Sequence, residues 1–370
     1  MNAPTRVTRY AQWVVGHPWW VILASVLLVM AAASGARLLG FTTDYRVFFS
    51  ADNPQMLAFE ALENTYTKND NVMFILVPKD GDAFSERTLE AVKTLTEKAW
   101  QTPYSLRVDS LSNFQHTEAV EDDLSVHDLV DEELTLDAAN RERIKSIALH
   151  EPILLDKLVP ARAHVTGVNV TVQLPGRHLG EVPEIVAFAR GLVDEMHALY
   201  PDIAIRLSGM VLMNNAFTEA SQGDMQTLIP LSFLLMLVTL ALLTRSVSGT
   251  VATLFVILFS ILTAMGLGGY LGFPITPPSA SAPTIILTVA IANAVHILIT
   301  FLHEMRLGRE KRAALVESLR INMQPVFLAS VTTALGFLSM NFSEVPPFQH
   351  LGNLVAMGVV ASFIFAVGFL

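Results

Sequence analysis

The sequence predicts an α-helical membrane bundle of six transmembrane helices with an extracytoplasmic α+β domain inserted after the first. Three observations predict it. Of 370 residues, 52% are hydrophobic and 16% are charged, whereas a soluble domain carries about 25% charged residues. The charge is split: 30 of the 34 acidic residues and 15 of the 24 basic ones lie between Asp44 and Asp224, so that segment nets −15 and the remainder +5. Outside it, charge-poor apolar runs recur at the length of about 20 residues that a bilayer requires. An acidic domain repels phosphates, which argues against a nucleic-acid binder. The absence of cysteine excludes disulfides, zinc ribbons, iron–sulfur clusters and thiol catalysis.

The first span is Trp19 to Ala36, uncharged and opening on a Trp pair suited to an interface. A cleaved signal peptide is the rival reading, because Ala31 to Ala36 is rich in small residues. The apolar run exceeds the usual signal core of about 7–15 residues, so an uncleaved anchor is preferred. Leu228 to Thr244 is the second span and stops at Arg245. From Ser246 to His303 no Asp, Glu, Lys or Arg occurs. That stretch divides at Gly272-Phe273-Pro274-Ile275-Thr276-Pro277-Pro278, where prolines end a helix. The third span is therefore Val251 to Leu271 and the fourth Pro283 to Leu302. A fifth runs from Pro325 to Phe342 and a sixth from Leu351 to Leu370. The charged segment Glu304 to Arg320 is expected to lie along the membrane surface.

Arg6, Arg9, Arg245, Arg306, Arg309, Lys311, Arg312 and Arg320 all fall on one side if six spans alternate, and the opposite short loops hold only Glu344. The positive-inside rule makes the basic side cytoplasmic. The expected location is a bacterial inner membrane, with a cytoplasmic amino terminus and a periplasmic large loop. Three regions follow: 1–38, the cytoplasmic tail and first span; 39–225, the extracytoplasmic domain; and 226–370, spans two to six.

Within the domain, Asn71 to Val77 reads as a buried strand, Phe84 to Trp100 as a helix and Ser105 to Leu111 as a strand. A second set follows at His164 to Leu174, Pro183 to Leu199 and Ile203 to Ser208. Two such β-α-β units suggest a split, ferredoxin-like sandwich. Val120 to His150 is acidic and reads as helical. Its runs Glu121-Asp122-Asp123 and Glu132-Glu133 match no calcium loop and are expected to be solvated.

Several apparent motifs fail. Gly266-Leu267-Gly268-Gly269-Tyr270-Leu271-Gly272 lies within a span and lacks phosphate-loop spacing, so close helix packing is the better reading. His303-Glu304 lacks the second histidine of a zinc protease. No nucleophile–base pair is visible, so the chain is expected not to be an enzyme and to need no cofactor or metal.

The fourth span carries polar side chains near mid-depth, where they are expensive and usually face a bundle interior or a cavity. At 100° per residue Asn293, His296, Thr300 and His303 fall within an arc of roughly 80°, and the stripe is about 15 Å long. A histidine titrates near neutrality, so a hydrated ladder of this kind could relay a proton. Packing through interhelical hydrogen bonds is the alternative, and the residues alone leave both open. In the fifth span Thr332, Gly336 and Ser339 share one face, and Ser330 with Thr333 another. These are candidate partners for the stripe, although plain helix packing accounts for each singly.

One span, a large α/β loop and five closely spaced spans resemble one half of a resistance-nodulation-division transporter. The chain is most similar to the MMPL-type exporters of hydrophobic and amphiphilic molecules, whose membrane part resembles sterol-sensing domains. Ala290-Ile291-Ala292-Asn293-Ala294-Val295-His296-Ile297 resembles the family's fourth-span motif. Ser330-Val331-Thr332-Thr333-Ala334-Leu335-Gly336-Phe337-Leu338-Ser339 resembles the fifth-span motif. Pro346-Pro347-Phe348-Gln349-His350-Leu351-Gly352 resembles the lead-in to the sixth, and Asp44 with Arg46-Val47-Phe48-Phe49 the start of the porter domain. The resemblance implies proton-driven movement of hydrophobic or amphiphilic molecules, lipids such as sterols, hopanoids or fatty-acyl lipids included, out of the inner membrane. Its implied partners are the lipid substrate and a periplasmic accessory protein; nucleic acid is not among them. Two departures stand out. The family commonly has Asp where this chain has Asn293, which cannot titrate. Such transporters also usually contain two halves as an internal repeat, and only one is present here. The chain is thus expected to be an amino-terminal half, truncated at the end of the sixth span and completed by a missing second half. A short protein that pairs with a second copy is the alternative. A non-pumping lipid sensor and an accessory to protein translocation are the rival functions.

Overall fold

The computed structural model describes residues 6–42, 44–66, 70–120, 123–131, 134–175, 178 and 180–370. The chain forms two compact units, one of residues Met1–Asn53 with Thr218–Leu370 and one of Pro54–Phe217. In chain order, α1 (Arg6–Gly16) and α2 (Pro18–Ala33) open the first unit, and a 3-10 turn extends α2 to Leu38. α1 was not foreseen: its polar residues read as a tail, yet Ala11 and Val14 give it one buried face.

The second unit begins with α3 (Pro54–Thr65) and β1 (Asp70–Pro78). Burial alternates along β1, with Val72, Phe74 and Leu76 on the covered face. The strand is thus buried on one face only. α4 (Glu86–Ala99) starts where the Ser85 hydroxyl accepts from the Thr88 amide at 3.3 Å, satisfying an otherwise unpaired donor. It buries Leu89, Val92, Leu95 and Ala99. β2 (Ser105–Asp109), β3 (Gln115–Val120), β4 (Asp123–Asp128), α5 (Ala138–His150), β5 (Thr166–Val172), α6 (Glu181–Leu199), β6 (Ile203–Ser208) and α7 (Met210–Gln226) follow. β2, β5, β1 and β6 form one sheet in that order, every neighbouring pair antiparallel. The unit has its own core, built from Phe74 and Leu76 of the sheet, Leu89 and Leu95 of α4, and Ile185, Ala189 and Met196 of α6.

The segment Val120 to His150 corrects the helical reading. β3 and β4 pair as an antiparallel hairpin, with His116 opposite His127 and Glu118 opposite Ser125. The helix begins only at Ala138, where Asp137 accepts from the Asn140 amide at 2.8 Å. Leu124, Ser125, Val126 and His127 alternate apolar and polar residues, the period of a strand. Glu121, Asp122, Glu132 and Glu133 lie outside the described residues, and Asp123 opens β4.

The first unit resumes at Thr218 within α7 and continues with α8 (Leu228–Thr244), α9 (Val247–Tyr270), α10 (Ala282–Arg306), α11 (Lys311–Leu338) and α12 (Pro346–Gly368). Six helical stretches of the described residues are long and apolar enough to cross a membrane: Pro18–Leu38, Met210–Thr244, Val247–Tyr270, Ser279–Arg306, Lys311–Phe342 and Pro346–Gly368. α12 is the most buried and packs against α9, α10 and α11. Gly308, at φ 86°, turns the chain out of α10; the Arg309 amide reaches back to the Glu304 carbonyl at 3.2 Å, as left-handed helix ends do.

Glu304 to Arg320 is not one surface helix. Its first residues end α10, and Lys311 onward opens α11, which continues through Pro325 instead of starting there. A proline inside a membrane helix is tolerated where its surroundings satisfy the freed backbone. The glycines of α9 pack as expected for small residues in a span. A β-carbon on Gly266 would overlap the Ala32 carbonyl, and one on Gly269 the Gly35 carbonyl. The end of α2 and the last turns of α9 thus meet backbone to backbone, and the Ser34 and Tyr270 hydroxyls bond across the junction.

Candidate functional site

Asn293 stands near the middle of α10, 3% exposed. Its side-chain amide donates to the Ser330 hydroxyl of α11 at 3.1 Å and to the Ser362 hydroxyl of α12 at 2.9 Å. Ser330 and Ser362 are buried, and Ser362 in turn donates to its own helix at the Val359 carbonyl, 2.8 Å away. One amide therefore uses both hydrogens to tie three helices together. Small neighbours allow the approach: Ala290 and Ala294 flank Asn293 and are fully buried, as is Val359 of α12.

The arc of the fourth span straddles the edge of the bundle. Asn293 lies at its inner margin, Thr300 is half-buried, and His296 and His303 are exposed. The Thr300 hydroxyl donates to the His296 carbonyl at 3.1 Å and accepts from the Asn322 amide of α11 at 2.8 Å. Asn322 also donates to the Ser318 carbonyl at 2.9 Å, and the Ser318 hydroxyl donates to the Ile297 carbonyl at 2.5 Å. α10 and α11 thus share two side-chain stations, Asn293 with Ser330 and Thr300 with Asn322, with the Ser318 bond to the Ile297 carbonyl beside the second. Buried Ile297 and Val326 stand between them in sequence along the two helices.

In the fifth span Ser330 reaches the buried station and Thr333 is half-buried. Thr332 is exposed, its hydroxyl donating to the Leu328 carbonyl at 2.9 Å, and exposed Ser339 donates to the Gly336 carbonyl at 2.7 Å. Ser362 and Asn322 were missed by sequence reasoning. Asn322 carried a usable signal, because it falls two turns before Ser330 on α11 and so on a neighbouring face. Ser362 carried none, being a single serine in an apolar run.

At the end of α10, Glu304 pairs with Arg309 at 2.9 Å, while Arg320 forks onto Glu317 at 2.6 and 2.8 Å. In the other unit the Glu118 carboxylate accepts from Arg143 and lies 3.2 Å from the His116 ring. The Arg143 hydrogen bond, its charge and His116 hold that carboxyl below the usual carboxylate range, against the opposing effect of desolvation. A cleft of about 230 Å³ beside it is lined by His127, Leu129, Leu134, Arg143, Ile144 and Ile147 among others. It is smaller than the ~300–1,000 Å³ of typical ligand pockets. No cluster of three or more metal-ligating side chains occurs among the described residues.

YdgH, named as a candidate membrane protein of Bacillus subtilis (strain 168), is 22% identical to this chain over 186 residues. Those residues are 48% of this chain and 21% of YdgH, so the chain matches about a fifth of that relative's length. The MMPL family model matches residues 47–370, which include the hydrogen-bonded station on α10, α11 and α12. A multi-pass helical chain matched over that length belongs to the MMPL family.

Proposed function

We propose that the chain forms the membrane body of a transporter that moves hydrophobic or amphiphilic molecules, lipids such as sterols, hopanoids or fatty-acyl lipids among them, outward from a bacterial inner membrane, driven by the proton gradient. The observation that carries the reading is the family match over residues 47–370, because that family is one of membrane transporters for hydrophobic substrates. In this reading residues 39–225 are the periplasmic porter domain. The wholly antiparallel order β2-β5-β1-β6, with α4 and α6 as the crossing helices, supports a ferredoxin-like arrangement for it.

Proton coupling falls to His296, with Thr300 and His303 along the same arc, while Asn293, Ser330, Thr332 and Thr333 shape the helices around it. Asn293 cannot itself take up a proton, and neither can the two serines bound to it. The exposed side of His296 is where a second half or a second copy would supply a carboxylate. The same chemistry favours a second reading, a non-pumping lipid sensor or an accessory to protein translocation, since the buried station holds no ionisable group.

The test is transport by the complete protein in proteoliposomes, with fluorescent lipid export followed with and without an imposed proton gradient. Gradient-dependent export that His296→Ala reduces tenfold or more is expected. Export indifferent to the gradient removes proton coupling, and lipid binding without export leaves the sensor reading.

A further inference from the structure

We infer that α1 is an interfacial helix whose outer face, together with the α10–α11 connection, binds the anionic headgroups of membrane phospholipids. The inner face of α1 is fixed: Ala11 and Val14 are buried, the helix packs against α11, and Ala11 shares a buried cluster with Leu319, Phe365 and Ala366. At 100° per residue Arg6, Arg9, Tyr10 and Trp13 occupy a separate arc of about 100°. All four are exposed, Trp13 at 55%. Aromatic rings interleaved with arginines suit the headgroup layer, where the ring buries an apolar body and the guanidinium reaches phosphate. The Trp13 ring stacks on His17 at the helix end, centroids 5.5 Å apart, and Trp19 and Trp20 stand exposed at the start of α2.

The helix that α1 packs against opens on Lys311 and Arg312. Around the connection, Glu304 and Glu317 take Arg309 and Arg320. Among the described residues, Arg6, Arg9, Arg306, Lys311 and Arg312 have no carboxylate partner. Glu310 is the carboxylate left to oppose them, and it too is exposed and unpaired. A solvated cationic face is the plain alternative, but it does not account for the exposed Tyr10 and Trp13 in the same arc. A Lys or Arg near an anionic leaflet contributes roughly fivefold to association with it.

The experiment uses the full chain carrying Trp19→Phe, Trp20→Phe and Trp100→Phe, so that Trp13 is the remaining tryptophan. It is reconstituted in mixed phosphatidylcholine and phosphatidylglycerol vesicles in which one lipid or the other is brominated near the headgroup end of its acyl chains. Trp13 quenching is expected to report a preference for phosphatidylglycerol of about fivefold or more at low salt. The preference should fall toward one in R6Q/R9Q and in high salt. Equal quenching by the two lipids at low salt overturns the proposal, as does no quenching by either, or a preference that survives R6Q/R9Q. Should R6Q/R9Q fail to fold, K311Q/R312Q replaces it with the same expectation and the same overturning result.

Discussion

A neutral amide at the centre of three helices constrains the bundle without adding charge to it. Replacing Asn293 with Leu takes the Ser330 hydroxyl's donor away in an apolar interior, while Ser362 loses the same donor but keeps its bond to the Val359 carbonyl. A buried unsatisfied group costs about 1–3 kcal/mol in soluble proteins, while interhelical hydrogen bonds in membranes average about 0.6 kcal/mol. Asn293→Leu is therefore expected to lower the unfolding free energy of the bundle by about 1–2 kcal/mol, measured by detergent-induced unfolding, with Ser362→Ala closer to half of that. His296→Ala should change the same measurement by less than about 0.5 kcal/mol, since exposed positions rarely do more. Its effect on transport would then report chemistry and not folding. The depth of Asn293 was legible in the sequence, because counting along an uncharged run places it near the middle. Which side of the arc faces inward was not legible. An arc of about 80° fits inside a bundle or across its edge, and tertiary packing alone puts His296 outside it.

The first and third membrane helices touch through glycine, so their spacing is set by backbone. A side chain at Gly266 or Gly269 forces the end of α2 away from α9. Overpacking of this kind typically costs about 1–3 kcal/mol, and Gly269→Val is expected to destabilise the bundle by that amount in the same unfolding assay. Gly336→Ala, where an added β-carbon meets nothing, should be neutral or slightly stabilising. The β3–β4 hairpin gives a pH-dependent prediction. The Glu118 carboxyl is held below its usual range by Arg143, so its contribution is present above the unfolded value of about 4.3. That contribution is lost as pH falls through the lower folded value. Amide exchange in β3 and β4 should accelerate on acidification in the wild type beyond the change seen in Glu118→Gln. α4 was readable from its helical spacing, and β1 and α9 from unbroken apolar runs of strand and span length. The hairpin was not, because acidic residues obscured a short alternation; α1 was readable in principle, since Val7, Ala11, Val14 and Val15 share one helical face, but its arginines and polar residues gave it the character of a tail.

At the scale of the molecule, the uneven charge already separates an apolar bundle from an acidic domain. The buried clusters follow the same division. Members of the domain core run from Val72 to Val211, whereas both clusters of the bundle draw on residues before Thr42 or after Gln226. A core that borrows no side chain from the bundle should fold without it. The sheet supports this, since each of its four strands pairs within the domain and α4 and α6 supply the helices of the same core. Starting at Asp70 removes α3, whose Leu57, Phe59 and Leu62 are exposed and would promote association. The segment Asp70 to Leu212, expressed alone, is expected to be soluble and to unfold in one cooperative transition. Its β1 and β5 amides should be protected from exchange as they are in the complete chain. An aggregated or exchange-labile segment would mean that residues outside Asp70 to Leu212 are needed for this core to form.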